Sequence, residues 1–173
     1  MDQFIELIKI LAPATLMLYL SYLLVRSFLS KQLEEQRITN KLKTQEQIQP
    51  IRLQAYERIC LLLERISPKN LITRLNNAQY SAKEFQQIAI NEIRNEYNHN
   101  LSQQLYMSNE AWAKVENSVE NTITLINEVS AKMGASNSSV DLAKNIFDRM
   151  VKENLEPSEQ ALTFLKSEIR ELF

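Results

Sequence analysis

Residues 10–25 read ILAPATLMLYLSYLLV, sixteen residues without a charge. As a helix they rise about 24 Å at roughly 1.5 Å per residue, short of the ~30 Å hydrocarbon core of a bilayer. The flanks close the gap. Phe4, Ile5, Leu7 and Ile8 precede the run, and Ser27, Phe28 and Leu29 follow it. Lys9 and Arg26 stand where their charges can reach the headgroups. Leu7 to Leu29 therefore predicts a membrane span, with Tyr19 and Tyr22 towards one interface. Pro13 falls near its start, where a missing backbone donor costs little or a mild kink is tolerated. Two rival readings are weaker. A buried helix of a soluble domain rarely carries so long an uncharged run. A signal peptide needs a basic leading region, whereas Asp2, Glu6 and Lys9 precede the run and no A-x-A-like site follows it.

Charge sets the expected orientation. Lys9 is the one basic side chain on the N-terminal side, whereas Arg26, Lys31, Arg37, Lys41 and Lys43 follow closely. The positive-inside rule places the C-terminal body in the cytoplasm and the N-terminus outside. The lone Cys60, in an apolar stretch, suits a reducing compartment.

Composition excludes several function classes. The chain has 173 residues, a formal net charge of −1, one Gly, four Pro, one Cys and one His. One glycine cannot build a phosphate-cradling or dinucleotide-binding loop. One cysteine cannot build an internal disulfide framework or a multi-cysteine zinc site. Scarce turn residues argue against an all-β domain.

Residues 27–49 are sparse in apolar side chains: Leu29, Leu33, Ile38, Leu42 and Ile48. Their irregular spacing makes a poor heptad, so a solvated stalk helix is expected, ending before Pro50. A weak dimer seam through Leu29, Leu33 and Leu42 is the alternative. Residues 26–50 hold five basic and three acidic side chains, fewer than a polybasic lipid switch uses.

From residue 51 the pattern is helical throughout, with 14 basic and 16 acidic residues. The first helix, 51–66, offers Leu53, Tyr56, Ile59, Cys60, Leu63 and Ile66 on one face, widened by Leu61 and Leu62. Ser67-Pro68 starts a short helix that Asn76-Asn77 ends. Ser81 and Glu84 form a capping box ahead of a stripe from Phe85 to Leu105. Ser108 caps a long helix carrying Trp112, Val115, Val119, Ile123, Ile126 and Val129, and Gly134 is placed as its stop. Ser138 and Asp141 open the next helix, through Ile146, Phe147 and Val151 to about Asn154. Leu155-Glu156-Pro157 is expected to begin the last helix, with Pro157 at N1 and Ala161, Leu162, Leu165, Ile169 and Leu172 inward. No internal repeat is evident.

The expected fold is all-α, with three parts: residues 1–29 a membrane anchor, 30–49 a juxtamembrane stalk helix, and 50–173 a cytoplasmic bundle of about five helices.

Three segments, LQAYERI at 53–59, LLERISPKNL at 62–71 and NEYNHNLSQQLYMSNEAW at 95–112, carry a family resemblance. The chain resembles an uncharacterised family of bacterial single-span membrane proteins with a cytoplasmic helical domain. The resemblance implies an architecture and an inner-membrane setting. It implies no activity, cofactor or functional residue.

Candidate chemistry is thin. Glu96 and His99 form a Glu-x-x-His pair, with Glu92 nearby, but a di-iron bundle site needs a second histidine. Cys60 and His99 are the one Cys-His pair available. Cys60 lies among leucines, where burial raises a thiol pKa and makes it inert. Scattered basic residues do not make a nucleic-acid footprint. The expectation is therefore no catalytic residue, no metal and no cofactor. Residues 95–112 hold the best contact surface: Tyr97, His99, Tyr106 and Trp112 among amide side chains, an anchor-and-rim composition. The opposing reading makes Tyr97 and Trp112 core residues. The expected function is a membrane-anchored, non-enzymatic interaction or scaffold module. Its expected partners are the lipid bilayer and a protein or a second copy of itself. The alternatives are a homo-oligomeric structural membrane protein, or an enzyme or ligand sensor using the bundle core.

Overall fold

The computed structural model describes residues 2–134 and 136–171, with side chains at 11 and from 13 onward. Expectations for the side chains of residues 2–10, for Ala135 and for Leu172 lie outside the described residues. The described residues form six α-helices: α1 Asp2–Ile66, α2 Pro68–Leu75, α3 Ala82–Asn100, α4 Asn109–Ser130, α5 Ser139–Glu153 and α6 Glu159–Glu171. A 3-10 helix, Leu101–Tyr106, joins α3 to α4. No strand occurs among the described residues; there is one isolated antiparallel bridge, Ser81 to Ser138. The chain divides into two compact units, 1–49 and 50–173.

In the first unit every described side chain is exposed. The helix does not end before Pro50, as its sequence suggested; α1 runs through it. Proline removes one hydrogen bond, the one its N–H would give to the Glu46 carbonyl. Residues 46–50 are all exposed, so water can take that carbonyl. Good helix formers on both sides supply the rest.

The second unit has a continuous core. Ile59, Leu62, Leu63 and Ile66 of α1, Leu71 of α2, Phe85 and Ile93 of α3, Val115 and Ile126 of α4, Leu142 and Ile146 of α5, and Leu165 of α6 are fully buried. Each such side chain contributes about 1.5–3 kcal/mol relative to exposure. Leu53 and Leu61, expected to face inward, are exposed. The buried face of α1 is narrower than its sequence suggests, because its neighbours cover the stripe through Tyr56, Ile59, Leu63 and Ile66.

Two matched helix starts organise the core. The Ser81 hydroxyl accepts the Glu84 N–H while the Glu84 carboxylate accepts the Ser81 N–H at 2.9 Å. Ser138 and Asp141 repeat this, also at 2.9 Å. The segments leading into these caps then pair. Ala82 donates to the Asn137 carbonyl and Ser139 to the Tyr80 carbonyl, both at 2.9 Å. The Ser139 hydroxyl adds a bond to the Asn77 carbonyl. The N-termini of α3 and α5 are thereby locked side by side.

Besides Pro50, three boundaries differ from the sequence expectation. The stripe of α3 was expected to reach Leu101 and Leu105, but α3 stops at Asn100. The Asn100 amide donates to the Glu96 carbonyl at 2.9 Å, a side-chain bond that competes with regular helix. The chain tightens into the 3-10 helix, which leaves Leu105 79% exposed. Gly134 is not the left-handed stop of α4. That helix ends at Ser130, and no glycine has a positive φ among the described residues. Gly134 instead donates its N–H to the Asn137 side chain within the loop. The left-handed residue is Asn154, with φ 48°, at the end of α5. Finally, Pro157 is not in the first turn of α6, which begins at Glu159. Ser158 turns inward, buried, and its hydroxyl lies 3.3 Å from that of Ser118.

Two outcomes test this account. The cap hydrogen bonds hold the Glu84 and Asp141 carboxyls below the usual carboxylate range, the backbone N–H being the larger cause in each. A depressed folded-state pKa gives stability that is present above the unfolded pKa of about 4 and is lost as pH falls through the folded value. Thermal unfolding of the full chain in detergent should therefore show a steeper fall below about pH 4 in the parent than in Glu84→Gln/Asp141→Asn. In the same assay Gly134→Ala should be tolerated and stabilise by about 0.4–1 kcal/mol. The new Cβ would meet only the Asn137 side chain, at an ordinary 3.5 Å.

Candidate functional site

The junction of α3, the 3-10 helix and α4 carries the aromatic residues expected to form a contact surface. Its geometry starts from Tyr97, in the last turns of α3, and Trp112, in the first turn of α4. Their rings stack with centroids 5.6 Å apart. One carboxylate oxygen fixes both: Glu116 Oε1 accepts from the Tyr97 hydroxyl at 3.1 Å and from Trp112 Nε1 at 2.9 Å. Glu116 lies one turn beyond Trp112 on α4, so i, i+4 spacing places it. Burial pushes the Tyr97 phenol up, and the hydrogen bond to the Glu116 carboxylate adds to the effect.

The four residues divide. Trp112 is buried and Tyr97 half-buried, whereas His99 and Tyr106 are exposed. Arg52 of α1 donates to the Tyr106 carbonyl at 3.1 Å, which anchors the 3-10 helix without covering it. Leu101 and Leu105 stand exposed beside these residues in sequence. Tyr97 and Trp112 are thus fixed against each other by stacking and by Glu116, while His99, Leu101, Leu105 and Tyr106 are exposed.

The carboxylates considered for metal chemistry are engaged elsewhere. Arg65 reaches Glu96 at 3.1 Å and Glu92 at 3.9 Å, and Arg74 reaches Glu92 at 2.6 Å. These pairs tie α1 and α2 to α3. They are partly exposed and add little net energy each. Among the described residues no group of three or more His, Cys, Asp or Glu is placed to hold a metal. Burial pushes the Cys60 thiol up, away from the thiolate that nucleophilic chemistry needs.

A buried polar cluster around Tyr56 has no signal in the sequence. Burial raises its phenol pKa, Glu168 of α6 adds to the rise, and Arg52 opposes it. The Tyr56 hydroxyl and Glu168 Oε2 are both buried without a hydrogen-bond partner. A tyrosine on an apolar stripe reads as core, and a partner more than a hundred residues away leaves no local trace.

The described residues are all-helical, and among them one helix, near the N-terminus, is long and apolar enough to cross a membrane. A family of unknown function, DUF7935, has a sequence pattern that matches residues 2–172, and the chain belongs to that family. No curated protein and no solved structure matches it.

The shared Glu116 acceptor gives a direct test. Glu116→Ala strands two donors and should destabilise by about 1–2 kcal/mol, whereas Glu116→Gln keeps an acceptor and should lose less. Chemical denaturation followed by emission of the single Trp112 reads both.

Proposed function

We propose that the chain is a membrane-anchored, non-enzymatic interaction or scaffold module. In this reading it spans the bacterial inner membrane once, N-terminus outside, and presents a cytoplasmic helical bundle to a protein partner. The observation that carries the reading is the bareness of α1. Leu18 is 72% exposed and Leu24 71%, and Leu16, Met17, Leu20 and Leu23 are exposed around them. A helix that is apolar on every side needs an apolar surrounding, and a bilayer supplies one at this length. The basic residues after Val25 favour a cytoplasmic body.

The unit from Pro50 onward has its own core, so tethering need not disturb it. Anchoring raises the local concentration of whatever docks. Tyr97 and Trp112 form the rigid part of the docking surface, with His99 and Tyr106 as its exposed contacts. A homo-oligomer joined through α1 is the second reading, favoured by the exposed Leu29, Leu33 and Leu42.

The reading predicts that the full chain stays in the membrane pellet after alkaline carbonate extraction. A variant lacking residues 1–30 should move to the soluble fraction. A C-terminal alkaline phosphatase fusion should be inactive. Unchanged fractionation on deletion removes the anchor, and an active fusion reverses the orientation.

A further inference from the structure

A groove far in sequence from the aromatic junction has a composition that specifies its occupant. It encloses about 630 Å³ between the α1–α2 corner, the end of α5 and the start of α6. Phe147, Met150 and Val151, at i, i+3 and i+4 on α5, line one wall. Leu155 and Leu162 line another. Val151 was expected to face the core but is 82% exposed.

The backbone keeps this groove open. Asn154, in the left-handed region, stops α5, and the N–H groups of Asn154 and Leu155 both turn back to the Met150 carbonyl. Pro157 follows in the turn before α6. The wall is thus set before anything binds, which lowers the ordering cost of binding.

The rim is acidic. Glu64, Glu156 and Glu159 border the groove against a single cation, Lys69. Glu64 is partly engaged by the Asn70 amide, 3.5 Å away. The carboxylates of Glu156 and Glu159 make no ion pair or side-chain hydrogen bond with the described residues. Their charges are therefore free to meet a partner.

We propose that this groove receives an amphipathic helix of another protein, apolar on the face that enters and basic along its flanks. A cleft whose walls carry Phe147, Met150, Val151, Leu155 and Leu162 offers apolar surface to the apolar face of such a helix. Met150 lets the wall adapt to the incoming side chains. The acidic rim attracts basic flanks and repels acidic ones. The proposal rests on the interaction-module reading and names a partner chemistry for it.

The test is photo-crosslinking of the full-length chain in its own membrane, with benzoylphenylalanine in place of Val151, and in place of Leu105 for comparison. The expected result is a crosslink from position 151 to a helical segment of net positive charge in another protein. Glu156→Lys/Glu159→Lys should lower its yield roughly fivefold or more. Both acids are exposed, and an unchanged melting temperature checks that the variant folds. Four results overturn the proposal: an acidic or uncharged peptide, a second copy of this chain, lipid, or a yield indifferent to charge reversal. If position 151 is silent while position 105 captures a protein, the groove fails and the interaction module stands. If neither position captures a protein, both fail.

Discussion

The second unit depends on one short-range pairing between distant parts of the chain. Tyr80 and Ala82 bond to Asn137 and Ser139 through two backbone hydrogen bonds of 2.9 Å. Each strand of this minimal bridge is also the entrance to a helix, and each entrance is held by its own serine–carboxylate box. The pairing is therefore made between two segments that local chemistry has already shaped. It closes a loop of more than fifty residues, and the entropy of that closure grows only slowly with length. Once made, it aligns α3 with α5. Burial of Phe85, Ile93, Leu142 and Ile146 then holds the alignment.

The same unit separates rigid from available surface. Arginines 65 and 74 take up the carboxylates of Glu92 and Glu96, and Arg149 those of Glu128 and Glu153. The aromatic pair is pinned by Glu116. In contrast, Glu156 and Glu159 stay unpaired beside exposed Val151, and the 3-10 helix buries none of its side chains. Two unpaired acids beside exposed apolar surface have the composition of a docking face. The two candidate faces differ in character. The junction is aromatic with an amide-rich rim, and the groove is aliphatic with an acidic one.

The resemblance read from residues 53–59, 62–71 and 95–112 agrees with membership of a family of unknown function over residues 2–172. The family's function is itself unknown, so the physical reading of each surface carries the functional argument alone.

What the sequence determined by itself was local. Periodicity marked the segments as helical, and serine with an acid three residues on marked two of the starts, because both signals act within one or two turns. Apolar length marked α1 as a membrane-span candidate. The tertiary structure decided where the local signals were ambiguous or silent. Pro50 could stay inside a helix because water reaches the carbonyl it orphans. Asn154, not Gly134, took the left-handed position, at the end of α5, a conformation that asparagine tolerates. Val151 kept the helical spacing of a core residue and still faced outward, since burial depends on whether a neighbour arrives to cover the stripe. The site was legible as a list of aromatic residues. The Tyr97 arm of the Glu116 clamp and the acidic groove were not, because their parts meet only when separate helices pack.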